Sequence, residues 1–280
     1  MSFQIAANLH YKVNYRSTML LNLHALSTGN QTLTDENFTV TQGAECDFFP
    51  IQTGQNRYVR IDTGDLTRLT ITYEVTAATN PDSRLVRDIH SVPITKLSRL
   101  SLRYLFPSRY CQSDRLGLFA SKHFGHIDHP LAQASAISDW VYENVDYVSG
   151  STDAGTSASD TITDRAGVCR DFAHLSIALC RALSIPARYF TGYACDLQPP
   201  DFHACFEACV GNQWFVFDPT RLSSPNGLVR IATGRDAADA SSATIFGSME
   251  LESMQVSCTS ADYQPMGRDE LEGKAVLLEP

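Results

Sequence analysis

Three side chains in this sequence could together move a proton and an acyl group: Cys169, His203 and Asp218. A thiolate attacks carbonyl carbon, and an imidazole can take the thiol proton and return it to a leaving amine. A carboxylate can fix the ring tautomer and stabilise the imidazolium. Each residue also has a plain reading. Most cysteines are small buried residues, a histidine on the polar face of a strand needs no special role, and an aspartate before Pro219 often ends a strand. The fold decides between these readings by bringing the three together or keeping them apart.

Cys169 opens a helical pattern. Phe172, Leu175, Leu179 and Ala182 recur at three- and four-residue steps, the apolar stripe of a buried helix that follows Gly167. The first turn of a helix has unpaired N–H groups and the positive end of the dipole, which suit a thiolate. His174, on the same helix, is rotated from Cys169 by about 140° and set a turn and a half along the axis. It is expected to be a packed or capping side chain, and Cys180 a packed one.

His203–Val210 reads as a strand with Ala204, Phe206, Ala208 and Val210 on one face and His203, Cys205, Glu207 and Cys209 on the other. Gly211-Asn212 is a turn signal, and residues 214–218 form the return strand. A two-residue loop would pair Val210 with Gln213 and set Asp218 opposite Cys205. His203 is then a diagonal neighbour of Asp218 on the same face. A three-residue loop would place them on opposite faces.

The rest of the chain supplies the frame. Leu66–Val75 alternates, with Leu69, Ile71, Tyr73 and Val75 on one face. Segments near Leu20–Leu26, Phe38–Gln42 and Arg57–Asp62 are further short strands, separated by Thr-Gly-Asn, Gln-Gly and Thr-Gly turn signals. Strands at this spacing predict a sandwich-like domain. Helices are expected over Pro93–Tyr104, from Ser113 or Asp114 to about Phe124, and from Pro130 through Leu131, Ala134, Ile137, Val141 and Val145. Tyr147–Asp164 reads as a long polar loop leading to the Cys169 helix, and Ala187–Tyr193 as a strand. His123, His126 and His129 lie at three-residue steps, but Gly125 and Pro130 argue for a loop rather than a metal site.

The 280 residues are 43% hydrophobic and 19% charged, an ordinary globular balance with room for two modest domains. The net charge of -9 and the lack of a Lys/Arg cluster argue against nucleic-acid binding. Neither a signal peptide nor a membrane-length apolar run is visible, so a cytoplasmic protein with no membrane partner is expected. Eight cysteines, at 46, 111, 169, 180, 195, 205, 209 and 258, form no CxxC pairs. Most are therefore read as reduced and structural, and nothing in the sequence selects a disulfide pair.

The blocks Gly167-Val-Cys169-Arg-Asp-Phe-Ala173, Arg188-Tyr-Phe-Thr-Gly-Tyr193, His203-Ala204 and Trp214-Phe-Val-Phe-Asp218-Pro-Thr220 resemble the transglutaminase-like superfamily of cysteine enzymes, and its bacterial branch most closely. Tyr147, Ser157-Ala158, Asp160 and residues 107–114 resemble that branch's upstream segments, and the amino-terminal β-region resembles the domain that precedes its core. The resemblance implies an α+β fold: a papain-like core whose Cys-bearing helix packs on an antiparallel sheet, preceded by a β-sandwich-like domain. It places the nucleophile, base and orienter on Cys169, His203 and Asp218. One departure is Cys205, where the family often has a large aromatic.

The expected division is an N-terminal β-rich domain (1–92), a catalytic core with lead-in helices (93–235) and a C-terminal strand-containing extension packed on the protein (236–280). The expected activity is cysteine-dependent amide acyl transfer on a peptide or protein substrate, with no cofactor and no metal. The Cys169 N–H is a candidate oxyanion donor. Hydrolysis is favoured over transfer to an amine, because no loop has the alternating acidic ligands of a regulatory calcium site. Transglutaminase-type transfer and a catalytically silent binding module are the alternatives. The sequence does not reveal an oligomeric state.

Overall fold

Alternating burial organises the amino-terminal half, and a fully buried helix organises the rest. The computed structural model describes residues 1–50 and 56–279. In chain order, β1 (Ser2–Leu21), β2 (Gln31–Val40), β3 (Glu45–Pro50), β4 (Arg57–Asp62), β5 (Arg68–Thr79) and β6 (Asp82–Leu85) come first. A helical stretch follows with α1 (Arg99–Leu102), α2 (Gly117–Phe124), α3 (Pro130–Asn144), β7 (Asp146–Tyr147), α4 (Ala158–Asp164), β8 (Ala166–Gly167) and α5 (Cys169–Ala182). The remaining elements are β9 (Ala187–Ala194), β10 (His203–Val210), β11 (Gln213–Phe217), β12 (Leu228–Gly234), α6 (Ala237–Ala240), β13 (Ala243–Thr259), α7 (Arg268–Leu271) and β14 (Lys274–Leu277).

β1 is far longer than the short strand expected near Leu20. Phe3, Ile5, Ala7, Leu9, Tyr11 and Val13 alternate inward along it, facing Leu69, Ile71, Tyr73, Val75 and Ala77 of β5. Fully burying each large apolar side chain contributes about 1.5–3 kcal/mol, so this seam is the main reason the sheet forms. β1 pairs with β5 over Ser2–Lys12 and with β4 over Thr18–Leu21, while β13 runs antiparallel along its other edge. The sheet order is β2-β5-β1-β4-β3, and it curls. Phe38 of β2 and Phe48 of β3 meet at 5.5 Å, with the His24 ring against both.

The second sheet has the order β12-β9-β10-β11-β14-β6 and is antiparallel throughout. α5 packs on it, with Phe172, Leu175 and Leu179 in one core with Ala204, Phe206 and Ala208 of β10. That core continues into the β1–β5 seam. α5 is buried on every side from Asp171 to Arg181, rather than along one stripe, because α2, α3 and α4 cover its other flanks. β10 is likewise buried on both faces. Its odd-numbered face lies against Val216, Val276 and Leu278, so the carboxy-terminal segment covers the side that alternation marks as polar.

Three expected elements differ. The helix expected over Pro93–Tyr104 is broken into 3-10 turns at Ile94–Lys96 and Arg103–Leu105 around α1, because Leu97 and Ser98 are extended. A 3-10 turn at Ser113–Arg115 precedes α2, so the helix begins later than expected. The polar loop ends at Ser157, where Asp160 accepts from the Ser157 N–H at 2.9 Å and α4 begins. α3 matches its expected stripe, with Leu131, Ala134, Ile137 and Val141 buried.

Candidate active site

α5 starts at Cys169 because the residues before it cannot continue as helix. Val168 is extended at the N-cap and has no side-chain acceptor. Asp171, fully buried, supplies the missing acceptor. Its Oδ2 takes hydrogen bonds from the Val168 N–H at 3.0 Å and Thr152 Oγ1 at 2.7 Å, and its Oδ1 takes one from Arg170 Nη2 at 3.1 Å. Gly167 permits this arrangement, since a Cβ there would lie 2.7 Å from Asp171 Cβ. The parallel β7–β8 pair sets Tyr147 beside Gly167, with Val148 N–H donating to the Gly167 carbonyl at 2.9 Å. The Tyr147 ring lies 5.9 Å from Phe172, and its hydroxyl lies near the Cys169 backbone N–H.

The β10–β11 hairpin has the two-residue register: Val210 pairs with Gln213, and Phe206 with Phe217. Gly211 and Asn212 both have positive φ, 62° and 65°, the type I′ geometry that fits the twist of antiparallel strands. This register carries Asp218 to the His203 side. His203 Nε2 and Asp218 Oδ2 are 2.8 Å apart, and both side chains are almost completely buried. Because Nε2 is committed to Asp218, Nδ1 is the nitrogen left for the thiol, and the Cys169 side chain lies near enough to His203 to raise its pKa.

Asp218 is itself held from the far side. Oδ1 accepts from the Thr220 N–H at 2.9 Å and Oγ1 at 2.7 Å, and Oδ2 accepts from the Ser223 N–H at 2.9 Å. Burial would raise its pKa, but the imidazolium and these donors outweigh burial and hold the carboxyl below the usual range. Burial would likewise lower His203. The Asp218 carboxylate outweighs it, and His203 is held well above the usual histidine range. The arrangement favours a charged pair in a site from which water is excluded.

Cys205 also reaches His203, and burial pushes its thiol up to about 12, so it stays protonated. Ligand atoms of His203, Cys205 and Asp218 lie within 4.8 Å of one another, the one such group of potential metal ligands among the described residues. Two of these groups, His203 and Asp218, are already paired with each other at 2.8 Å. His123, His126 and His129 do not converge. His123 Nδ1 donates to the Phe119 carbonyl at 3.0 Å, while His129 accepts from the Leu131 N–H and caps α3. Behind the site, Glu207 is buried between Arg188 at 2.6 Å and Arg230 at 2.6 Å, which pulls its pKa down to about 2.

His174 faces away from this cluster. It is sandwiched between the Tyr110 and Tyr189 rings, each 5.0 Å off, and Nε2 accepts from the Ala237 N–H at 3.1 Å. Cys180 is fully buried, and burial raises its pKa far above the usual thiol range.

Comparison with known proteins agrees with this architecture. The transglutaminase-like superfamily model matches residues 119–219, and the model for the N-terminal domain of bacterial transglutaminase matches residues 1–99. A crystal structure of a candidate cysteine protease from Cytophaga hutchinsonii is 48% identical with a TM-score of 0.96, covering 100% of this chain and 98% of that one. The chain belongs to the transglutaminase-like superfamily.

Membership supports a cysteine-dependent enzyme, and the Cys–His–Asp cluster lies within the matched core. An uncharacterised protein of Mycobacterium leprae is 29% identical over 147 residues, covering 48% of this chain and 51% of that protein. One of Mycobacterium bovis is 34% identical over 115 residues, covering 35% and 36%. The chain thus spans about half the length of the first relative and about a third of the second. Among the described residues, no helix is long and apolar enough to cross a membrane.

Sequence reasoning gave Tyr147 no role beyond its place in a family segment. Its hydroxyl meets Cys169 only because the β7–β8 pair forms, and two-residue strands leave no periodic signal.

Proposed function

We propose that this member of the superfamily hydrolyses peptide or isopeptide amides with Cys169 as nucleophile, His203 as acid and base, and Asp218 as orienter. The observation that carries this reading is the 2.8 Å His203–Asp218 hydrogen bond with the Cys169 side chain near the same ring. The Cys169 thiolate attacks the amide carbonyl, and the imidazolium gives its proton to the leaving amine. Water then adds to the thioester with His203 as base, releasing the acid and restoring the thiol. The carbonyl oxygen, negative in each tetrahedral intermediate, takes a hydrogen bond from the Cys169 N–H. Tyr147, whose hydroxyl lies beside that N–H, supplies a second donor. In the same proposal, residues 93–235 hold the catalytic machinery, and 1–92 and 236–280 brace it.

The test needs no known substrate at first. Limiting iodoacetamide followed by mass-spectrometric mapping should label Cys169 fastest, because burial raises the other seven thiols. Labelling should slow at least about tenfold in His203→Ala. Cys169 among the slowest cysteines would overturn the assignment. With a peptide library, hydrolysis releases fragments or ammonia even when excess primary amine is present. Incorporation of that amine as the main product would show transfer instead.

A further inference from the structure

We propose that Cys195 and Cys258 form a reversible disulfide, which ties the strand completing the amino-terminal sheet to the loop that leads into His203. Cys195 directly follows β9, and Cys258 lies one residue before the end of β13. The two segments run side by side, with the Asp196 N–H donating to the Cys258 carbonyl at 3.1 Å and the Cys195 N–H donating to the Gly227 carbonyl at 2.9 Å. The first of these bonds sets Cys258 against Asp196, the residue next to Cys195 in the chain. The two side chains belong to the same buried core and lie near enough to influence each other electrostatically. Both residues are buried, at 4% and 6% exposure.

A surface cavity of about 80 Å³, lined by Asp196, Leu197, Asp201 and Cys258 among others, opens beside Cys258, and exchange with a larger disulfide proceeds as these segments locally open. Other buried cysteines are arranged differently. Cys209, for example, lies 3.7 Å from the Ser101 hydroxyl. The loop closed by a Cys195–Cys258 bond contains β10, β11, β12 and α6, and therefore both His203 and Asp218.

The reaction balances with oxidised glutathione as electron acceptor. Two S–H bonds break and one S–S bond forms. Two electrons and two protons pass to the glutathione disulfide, which leaves as two thiols. Burial pushes Cys195 up to about 11 and Cys258 higher still, so exchange is slow near neutral pH. That sets the rate of formation and leaves the equilibrium to the fit of the two side chains.

The experiment uses the full chain, incubated in excess oxidised glutathione and digested without reductant. The expected product is a linked peptide containing Cys195 and Cys258, with the free-thiol count lower by two per chain. Tm should rise by about 5 °C or more, since closing a long loop restricts the unfolded chain, and dithiothreitol should reverse the rise. Cys195→Ser and Cys258→Ser should each abolish the shift, and the linked peptide in the unmodified chain reads the bond without either variant. A glutathione adduct on either residue is the exchange intermediate and should give way to the link; adducts that persist as the end product, a link to another cysteine or no link at all would overturn the proposal. None of these outcomes depends on Cys169 being a nucleophile.

Discussion

His203 and His174 are hidden to the same degree, at 1% and 0% exposure, yet their surroundings push them in opposite directions. His203 stands at the start of β10 beside a carboxylate that three further hydrogen bonds hold in place. His174 sits in mid-helix between two tyrosine rings, with Arg170 and Arg181 as its charged neighbours, and burial drives its pKa well below the usual range. Burial alone therefore makes neither histidine a base. A buried imidazole becomes useful for proton transfer when an anion offsets the loss of water, and Asp218 supplies that anion on one side only.

The largest expected effect breaks the comparison at that anion. Asp218→Asn should lower kcat for amide cleavage by about 10³–10⁴-fold, whereas His174→Phe should change it by less than about threefold. The His174 variant should instead cost about 1–3 kcal/mol of stability, from the stranded Ala237 N–H, read as a shift in the urea midpoint. Equal losses of kcat would mean that both histidines serve the chemistry.

The tyrosines give a smaller effect. Tyr147→Phe removes a hydroxyl beside Cys169 and should lower kcat by about 10–100-fold with KM little changed. Tyr110→Phe keeps the ring under His174 and gives up one hydrogen bond to the Ala154 carbonyl, so kcat should stay within about twofold.

The smallest effect is seen without turnover. NMR titration should find His203 still protonated well above pH 6.5 and His174 still neutral well below it. The linked stabilities run in opposite senses. The raised His203 contributes fully below about pH 6.5, and that contribution is lost as pH rises through its folded value. The depressed His174 contributes above about pH 6.5 and loses that contribution as pH falls toward its folded value. Coincident titrations near 6.5 would erase the distinction.

Much of this geometry could be read locally. Gly211-Asn212 sets the turn, the turn sets the register, and the register carries Asp218 to His203. The start of α5 follows from Gly167 and the apolar spacing behind it. Ser157 and Asp160 also carry a local capping signal, and α4 could have been anticipated from them. Other features have no local signature. Nothing in Ala243–Thr259 names β1 as its partner, and the alternation of β10 does not show that residues near 276 will cover its polar face. The nearness of Cys195 to Cys258 depends on the same long-range pairing.

That pairing bears on synthesis. β1 is made more than 200 residues before β13, yet they lie side by side along most of their length. While the polypeptide is still emerging from the ribosome, one edge of β1 must wait, unpaired, until about 240 further residues have been translated. A waiting edge strand is an aggregation hazard, and the nascent chain would need a chaperone or rapid elongation to pass through that interval safely. The first sheet therefore closes only on a chain that already contains the whole β9–β12 region.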